Sequence, residues 1–174
     1  MDIKEMYEIE CKRDHTDMYY HLPKLREYAE KCEHITEMGV RDVLSTYALL
    51  MGKPKILKSY DIEATKKTHR IPKQDNFEYI IEDVLKIEIE ETDFLFIDTL
   101  HTYKQLSQEL KLHGNKAKEY LGFHDISSFG VTGEDGGPGL LKAISEFKKD
   151  NPWWVEDYVT YACNGLLILK RVKF

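Results

Sequence analysis

Residues 35–61, ITEMGVRDVLSTYALLMGKPKILKSYD, decide how the rest of the chain is read. A buried strand from His34 to Met38 meets a turn at Gly39. A helix begins near Ser45, a Gly-Lys-Pro break follows, and a second apolar strand ends on a carboxylate, Asp61. Strand, helix and strand at this spacing make a βαβ unit, whose strands pair in parallel. An acid at the tip of the second strand is where such units hold the two hydroxyls of a ribose, while a glycine in the first turn lets a ligand approach the backbone closely. The stretch therefore predicts a site for an adenosine-containing molecule.

The turn narrows the choice. A dinucleotide needs G-x-G-x-x-G, with a helix N-terminus under its pyrophosphate. Here the turn reads Gly39-Val40-Arg41-Asp42-Val43, with one glycine. A cofactor without phosphates, such as S-adenosylmethionine, fits better.

Outward from this unit, Thr16 to Glu33 carries Tyr20, Leu22, Leu25, Tyr28 and Ala29 at helical spacing, and predicts an N-terminal helix over about 16–33 ahead of a core over 34–174. Residues 1–15 show no periodicity and read as loosely packed. After Asp61, IEATKKTHRIPKQD reads as a short helix or irregular crossover. FEYII from Phe77 and DFLFID from Asp93 are the third and fourth strands, the latter apolar on both faces as a central strand must be. A helix from Tyr103 to Lys118 precedes a fifth strand at Tyr120–Asp125. A glycine-rich loop, 130–139, leads to a helix with Leu140, Leu141, Ile144 and Phe147. Two β runs around Asn164-Gly165 close the chain with a two-residue hairpin signal. The expected architecture is a single α/β domain over residues 1–174: a Rossmann-like three-layer sandwich whose seven-stranded sheet is mainly parallel and ends in an antiparallel hairpin.

Bulk properties exclude several classes. With 174 residues there is room for one full core. The charged fraction of 32 % against 42 % hydrophobic is ordinary, no apolar run could span a bilayer, and the charged N-terminus lacks a signal-peptide core, so a cytoplasmic protein with no membrane partner is expected. Cys11, Cys32 and Cys163 form no CxxC pair and read as inert thiols. The net charge of −6, with its basic residues scattered, argues against a nucleic-acid partner and leaves a small-molecule substrate as the expected one. Homo-oligomers stay open.

In a parallel sheet, ligands sit beyond the C-terminal strand ends. Those ends read Glu37 and Gly39, Asp61, Asp83, Asp98 and His101, then His124 and Asp125. Each Asp alone could be a helix cap or turn residue. Five such ends in one sheet instead predict a shared cleft, with a cation or a hydrogen-bonding ligand among carboxylates that would otherwise repel.

The order of one-glycine turn, acid after the second strand, Asp after the third and terminal hairpin resembles class I S-adenosylmethionine-dependent methyltransferases. More narrowly, HLPKLREYAEKCEHITEMGVRDVLST, SYDI, FIDTLHTYKQL, FHDISSFG and CNGLLILKR are similar to a small family related to the macrocin O-methyltransferase and cephalosporin hydroxylase group. The resemblance implies that Glu37 and Gly39, with Val40, Arg41 and Ser45 beside them, line the methionine end. It implies that Asp61 binds the ribose and Asp83 the adenine amine, with Ile62, Val84 and Asp98 among the cofactor-binding residues and Asp98 also catalytic. Val43 departs from the pattern, standing where many relatives have a second small residue.

A second resemblance, to catechol-type O-methyltransferases, implies a divalent ion (magnesium, manganese or iron) on Asp98, His124 and Asp125, with His101 as the base. Imidazole at His124 suits manganese or iron better than magnesium. His21, within the family-like HLPKL, is a candidate substrate residue. The expected activity is methyl transfer to a small polar acceptor, a hydroxyl on a sugar or secondary metabolite. The competing readings are an inert cofactor-binding scaffold and a metal-dependent oxygenase on the same fold. The loop GEDGGPG lacks the Gly-Lys-Ser/Thr ending of a phosphate loop and reads as a lid or connector.

Overall fold

A computed structural model describes residues 2–64 and 70–173. Seven strands form one sheet: β1 (His34–Met38), β2 (Ile56–Asp61), β3 (Phe77–Ile81), β4 (Thr92–Ile97), β5 (Ala117–His124), β6 (Trp154–Thr160) and β7 (Leu166–Arg171). Their order is β3-β2-β1-β4-β5-β7-β6, with β7 antiparallel to both of its neighbours and every other pairing parallel. The order reverses between β1 and β4, each starting a run outward in opposite directions. This is the switch point at which a ligand crevice opens beyond the strand ends.

Among the described residues, five α-helices cover the sheet. The helices α1 (Ile3–Glu10), α2 (Leu22–Ala29) and α3 (Leu44–Met51) bury Leu22, Leu25, Tyr47 and Leu49 against Ile35, Phe94 and Phe96 on one face. On the other face α4 (Tyr103–His113) and α5 (Leu140–Asp150) press Leu106, Leu110 and Ile144 onto Leu95, Leu121 and Leu169. Strands buried from both sides explain the continuous apolar text of β4.

Some expectations need correction. Residues 2–10 are not loose: Asp2 and Glu5 form a reciprocal capping box, and Met6 and Tyr7 are buried in the core. The N-terminal helix does not begin at Thr16. The α2 helix starts at Leu22 with Pro23 in its first turn, where a missing N–H costs nothing. The α4 helix stops at His113, and a 3-10 turn over Gly114–Lys116 carries the chain into β5. The final hairpin uses a five-residue connection in which Cys163, Asn164 and Gly165 all have positive φ, rather than a two-residue turn. Of the crossover after Asp61, residues 65–69 lie outside the described residues.

Candidate functional site

Gly39 sits at the switch point with φ +84°, and a Cβ there would stand 2.0 Å from the Asp98 carbonyl oxygen. Only glycine permits this approach of the first turn to the end of β4. The following residues continue in an unusual conformation: Arg41 (φ 41°) and Val43 (φ 60°) are also left-handed, and Val43 is completely buried at the start of α3. A β-branched residue in that region carries strain of about 1–3 kcal/mol. The turn is held by Asp61, whose Oδ2 accepts the N–H groups of Val40 (2.9 Å) and Arg41 (3.1 Å) while Oδ1 accepts that of Glu63 (3.1 Å). Successive N–H groups converging on one oxygen form the hollow that nucleotide-binding loops use for phosphate. Here the hollow is filled by the chain's own carboxylate.

The turn borders a cavity of about 480 Å³ that runs along the strand tips. Gly39, Val40, Arg41, Asp61, Ile62, Asp83, Val84 and Asp98, all expected cofactor residues, line it, and His101 lies on its wall. Two expected residues do not. Glu37 is fully buried, and its carboxylate accepts hydroxyl hydrogen bonds from Ser45 (2.6 Å), Thr46 (2.8 Å) and Ser59 (2.5 Å). Burial pushes its carboxyl up to about 7 against the pull of those three hydroxyls. Ser45 is thereby committed to Glu37. Both sit beneath the turn rather than in the cavity.

Asp83 is engaged as well. Its Oδ1 accepts the Leu85 N–H (3.0 Å) and its Oδ2 meets Lys86 Nζ at 3.0 Å, and these two contacts hold its pKa below the usual carboxylate range.

The tips of β4 and β5 bring Asp98, His101, His124 and Asp125 together. His101 Nε2 lies 3.2 Å from Asp98 Oδ1 and 3.0 Å from Asp125 Oδ2. Its ring is stacked on Phe129 at 4.9 Å, nearly parallel. Burial disfavours charge on this imidazole, but the carboxylates of Asp125 and Asp98 outweigh it and push its pKa up to about 9. Burial likewise opposes charge on Asp98 and Asp125, and the two imidazoles more than compensate, holding both carboxyls below their ordinary values. His124 Nδ1 approaches Asp125 Oδ2 (3.2 Å) and Asp98 Oδ2 (3.4 Å), but neither approach is aligned as a hydrogen bond. Both nitrogens of this buried ring and Asp125 Oδ1 thus lack an aligned partner.

His21 does not reach the cavity. It is completely buried at the start of α2, its Nε2 2.6 Å from the Cys163 carbonyl and its ring edge-on to His124 at 5.2 Å. Burial lowers its pKa, which favours a neutral ring behind the cluster.

Two features escaped the sequence reading. The glycine-rich loop packs over His101: Glu134 Oε1 accepts the His101 backbone N–H (2.7 Å) and faces Nδ1 at 3.4 Å, while the Glu134 N–H donates to the His101 carbonyl (3.1 Å). On α4, Glu109 is fully buried and accepts hydrogen bonds from Thr99 Oγ1 (2.7 Å) and Gln105 Nε2 (2.8 Å), two residues that line the cavity.

The donor atoms at the tips of β4 and β5 could hold a divalent cation. Asp98, His101 and Asp125 each offer a ligand atom within 4.8 Å of the others. His101 stands in this group where the resemblance places His124.

No model of a known protein family matches the chain, and no curated protein sequence matches it. Solved structures do match. An O-methyltransferase from Bacillus cereus, crystallised with S-adenosylhomocysteine, aligns over 98 % of this chain and 89 % of its own at 15 % identity and a TM-score of 0.65. The fold is that of the S-adenosylmethionine-dependent methyltransferases. A Podospora anserina methyltransferase bound to S-adenosylhomocysteine shares this methyltransferase fold over 98 % of this chain and 88 % of its own, at 16 % identity and a TM-score of 0.63. So does magnesium protoporphyrin IX methyltransferase from Synechocystis with bound S-adenosylmethionine, over 89 % and 79 % at 11 % identity and a TM-score of 0.62. Among the described residues no helix is long and apolar enough to cross a membrane.

Proposed function

We propose that this chain is an S-adenosylmethionine-dependent methyltransferase acting on a hydroxyl of a small polar acceptor. One observation carries the reading: a single cleft joins the phosphate-excluding Gly39 turn and Asp61 to the charged cluster of Asp98, His101 and Asp125. The donor set fits the cofactor. Both Asp61 oxygens accept backbone N–H groups and keep further lone pairs with which to accept ribose hydroxyls, and the acidic wall suits a sulfonium and an ammonium group. The narrower likeness to the macrocin O-methyltransferase group supports a hydroxyl acceptor on a sugar or secondary metabolite.

When bound, S-adenosylmethionine supplies an electrophilic methyl on a sulfonium. The chain's own residues then do two things. The Gly39 turn and Asp61 would orient the adenosine, and Asp98 and Asp125 hold the His101 ring in place at 3.2 and 3.0 Å. His101 Nε2 takes up the proton of the acceptor hydroxyl and so makes its oxygen the nucleophile. Because His101 carries a proton up to about pH 9, it accepts another only after losing its own. Transfer is therefore expected to rise with pH toward 9.

A divalent ion on Asp98, His101 and Asp125 would replace this base role, occupying the imidazole and lowering the acidity barrier of the acceptor hydroxyl by polarising it, and the imidazole in the set favours manganese or iron over magnesium. Metal analysis of protein purified without chelator tests for it. Calorimetric titration with S-adenosylmethionine and S-adenosylhomocysteine tests the main reading: saturable one-to-one binding of both is expected, and failure of both to bind overturns it. His101→Ala should leave this affinity within about threefold while abolishing transfer to an acceptor, since the ring acts at the reacting centre and not at the adenosine.

A further inference from the structure

The resemblance assigns the adenine amine to Asp83, yet both oxygens of that carboxylate already have partners, Leu85 N–H and Lys86 Nζ. Another acceptor faces the same cavity. The Gln105 side chain lines it from the first turn of α4, and its amide nitrogen is spent on Glu109 Oε1 at 2.8 Å. With one amide hydrogen given to that fully buried carboxylate, the Gln105 carbonyl oxygen has no hydrogen bond of its own and is free to accept one in the cleft. Thr99 is oriented the same way: its hydroxyl proton goes to Glu109 Oε1 at 2.7 Å, so toward the cleft it can only accept. Glu109 thus fixes the orientation of two side chains that line the cavity and leaves each with an acceptor oxygen.

We propose that Gln105, turned by Glu109, is the residue that selects adenine over 6-oxopurines, accepting the 6-amino group of the cofactor. Glu109 is its positioning residue. The proposal rests on the methyltransferase reading and concerns which base that site takes. A 6-oxopurine would set a carbonyl oxygen against the Gln105 oxygen and would leave the site's acceptors unpaired, which is how polar pockets discriminate strongly.

The test is calorimetric titration of the full chain with S-adenosylhomocysteine and with its 6-oxo counterpart, S-inosylhomocysteine. The wild type should prefer the adenine form by about a hundredfold, the scale of one stranded polar pair. Gln105→Leu should reduce that preference by about tenfold or more, chiefly through weaker binding of the adenine form. Glu109→Gln, whose amide can donate to the Gln105 oxygen and turn it away, should erode the preference in the same direction. Thermal melting checks that each variant is folded. If Gln105→Leu does not fold, Gln105→Met replaces it with the same expectation. A wild type that binds both ligands equally overturns this inference and leaves the methyltransferase reading standing. So does a preference that survives in Gln105→Leu and vanishes in Asp83→Asn. A wild type that binds neither ligand overturns both.

Discussion

The two ends of the cleft are built on opposite principles. At the tips of β1 and β2 the carboxylates have fixed, uncharged partners: Asp61 holds two turn N–H groups, and Glu37 holds three hydroxyls. At the tips of β4 and β5 the carboxylates face imidazoles, and a buried oxygen and two ring nitrogens lack aligned partners. Satisfied groups make a rigid surface against which a ligand can be placed. Unsatisfied groups retain capacity to exchange a proton or take up a cation, and the proposed activity draws on that capacity at the second end.

The sharpest way to break this contrast is to remove Asp125, which should cost roughly 3–5 kcal/mol by stranding two imidazoles beside a buried gap. Urea denaturation at pH 7 reads it, and a loss under 1 kcal/mol would mean that the cluster is less charged than its geometry implies. Glu37→Ala comes next. It leaves the hydroxyls of Ser45, Thr46 and Ser59 without their acceptor, and about 2–3 kcal/mol of stability should go with it. Asp61→Ala should weaken S-adenosylmethionine binding by about 1–3 kcal/mol, through lost ribose contacts and a loosened turn together. Unchanged affinity would remove Asp61 from the cofactor site.

The pH dependence sharpens the comparison from the other side. His101 has its folded pKa raised to about 9 from an ordinary value near 6.5, so its stabilising contribution is complete below about pH 6.5 and disappears as pH rises through 9. Stability measured from pH 6 to 9.5 should fall in the wild type and fall less in His101→Gln. The smallest effect belongs to Asp83→Ala: Lys86 is largely exposed and solvent screens the pair, so the melting temperature should stay that of the wild type.

The sheet was legible because its signals are local. An apolar run covered on both faces marks β4, and one glycine between a strand and a helix marks the switch point. The first helix was equally local and was missed, because Asp2 and Glu5 read as undifferentiated charge rather than as a capping box before Met6 and Tyr7. Most of the lining of the cleft followed from the strand ends. Glu37, Ser45 and His21 were misplaced for a different reason. Strand ends give position along the chain, whereas the side of the turn on which a group lies depends on partners such as Ser59 and Cys163, which arrive from distant residues. The Gln105 and Glu109 pair, four residues apart on one helical face, was readable in principle. Only burial distinguishes it from an ordinary solvated pair.

The α4 helix does more than cover the sheet. Near its start it carries Gln105 on one wall of the cleft, and at its last residue His113 Nε2 donates to the Val84 carbonyl at 2.7 Å, fastening the opposite wall. One stiff rod of 11 residues therefore ties Gln105 and Val84, two parts of the cleft lining, to a single body. Any force that tilts this rod, from a bound acceptor or a neighbouring molecule, would change the width of the cleft without touching its lining.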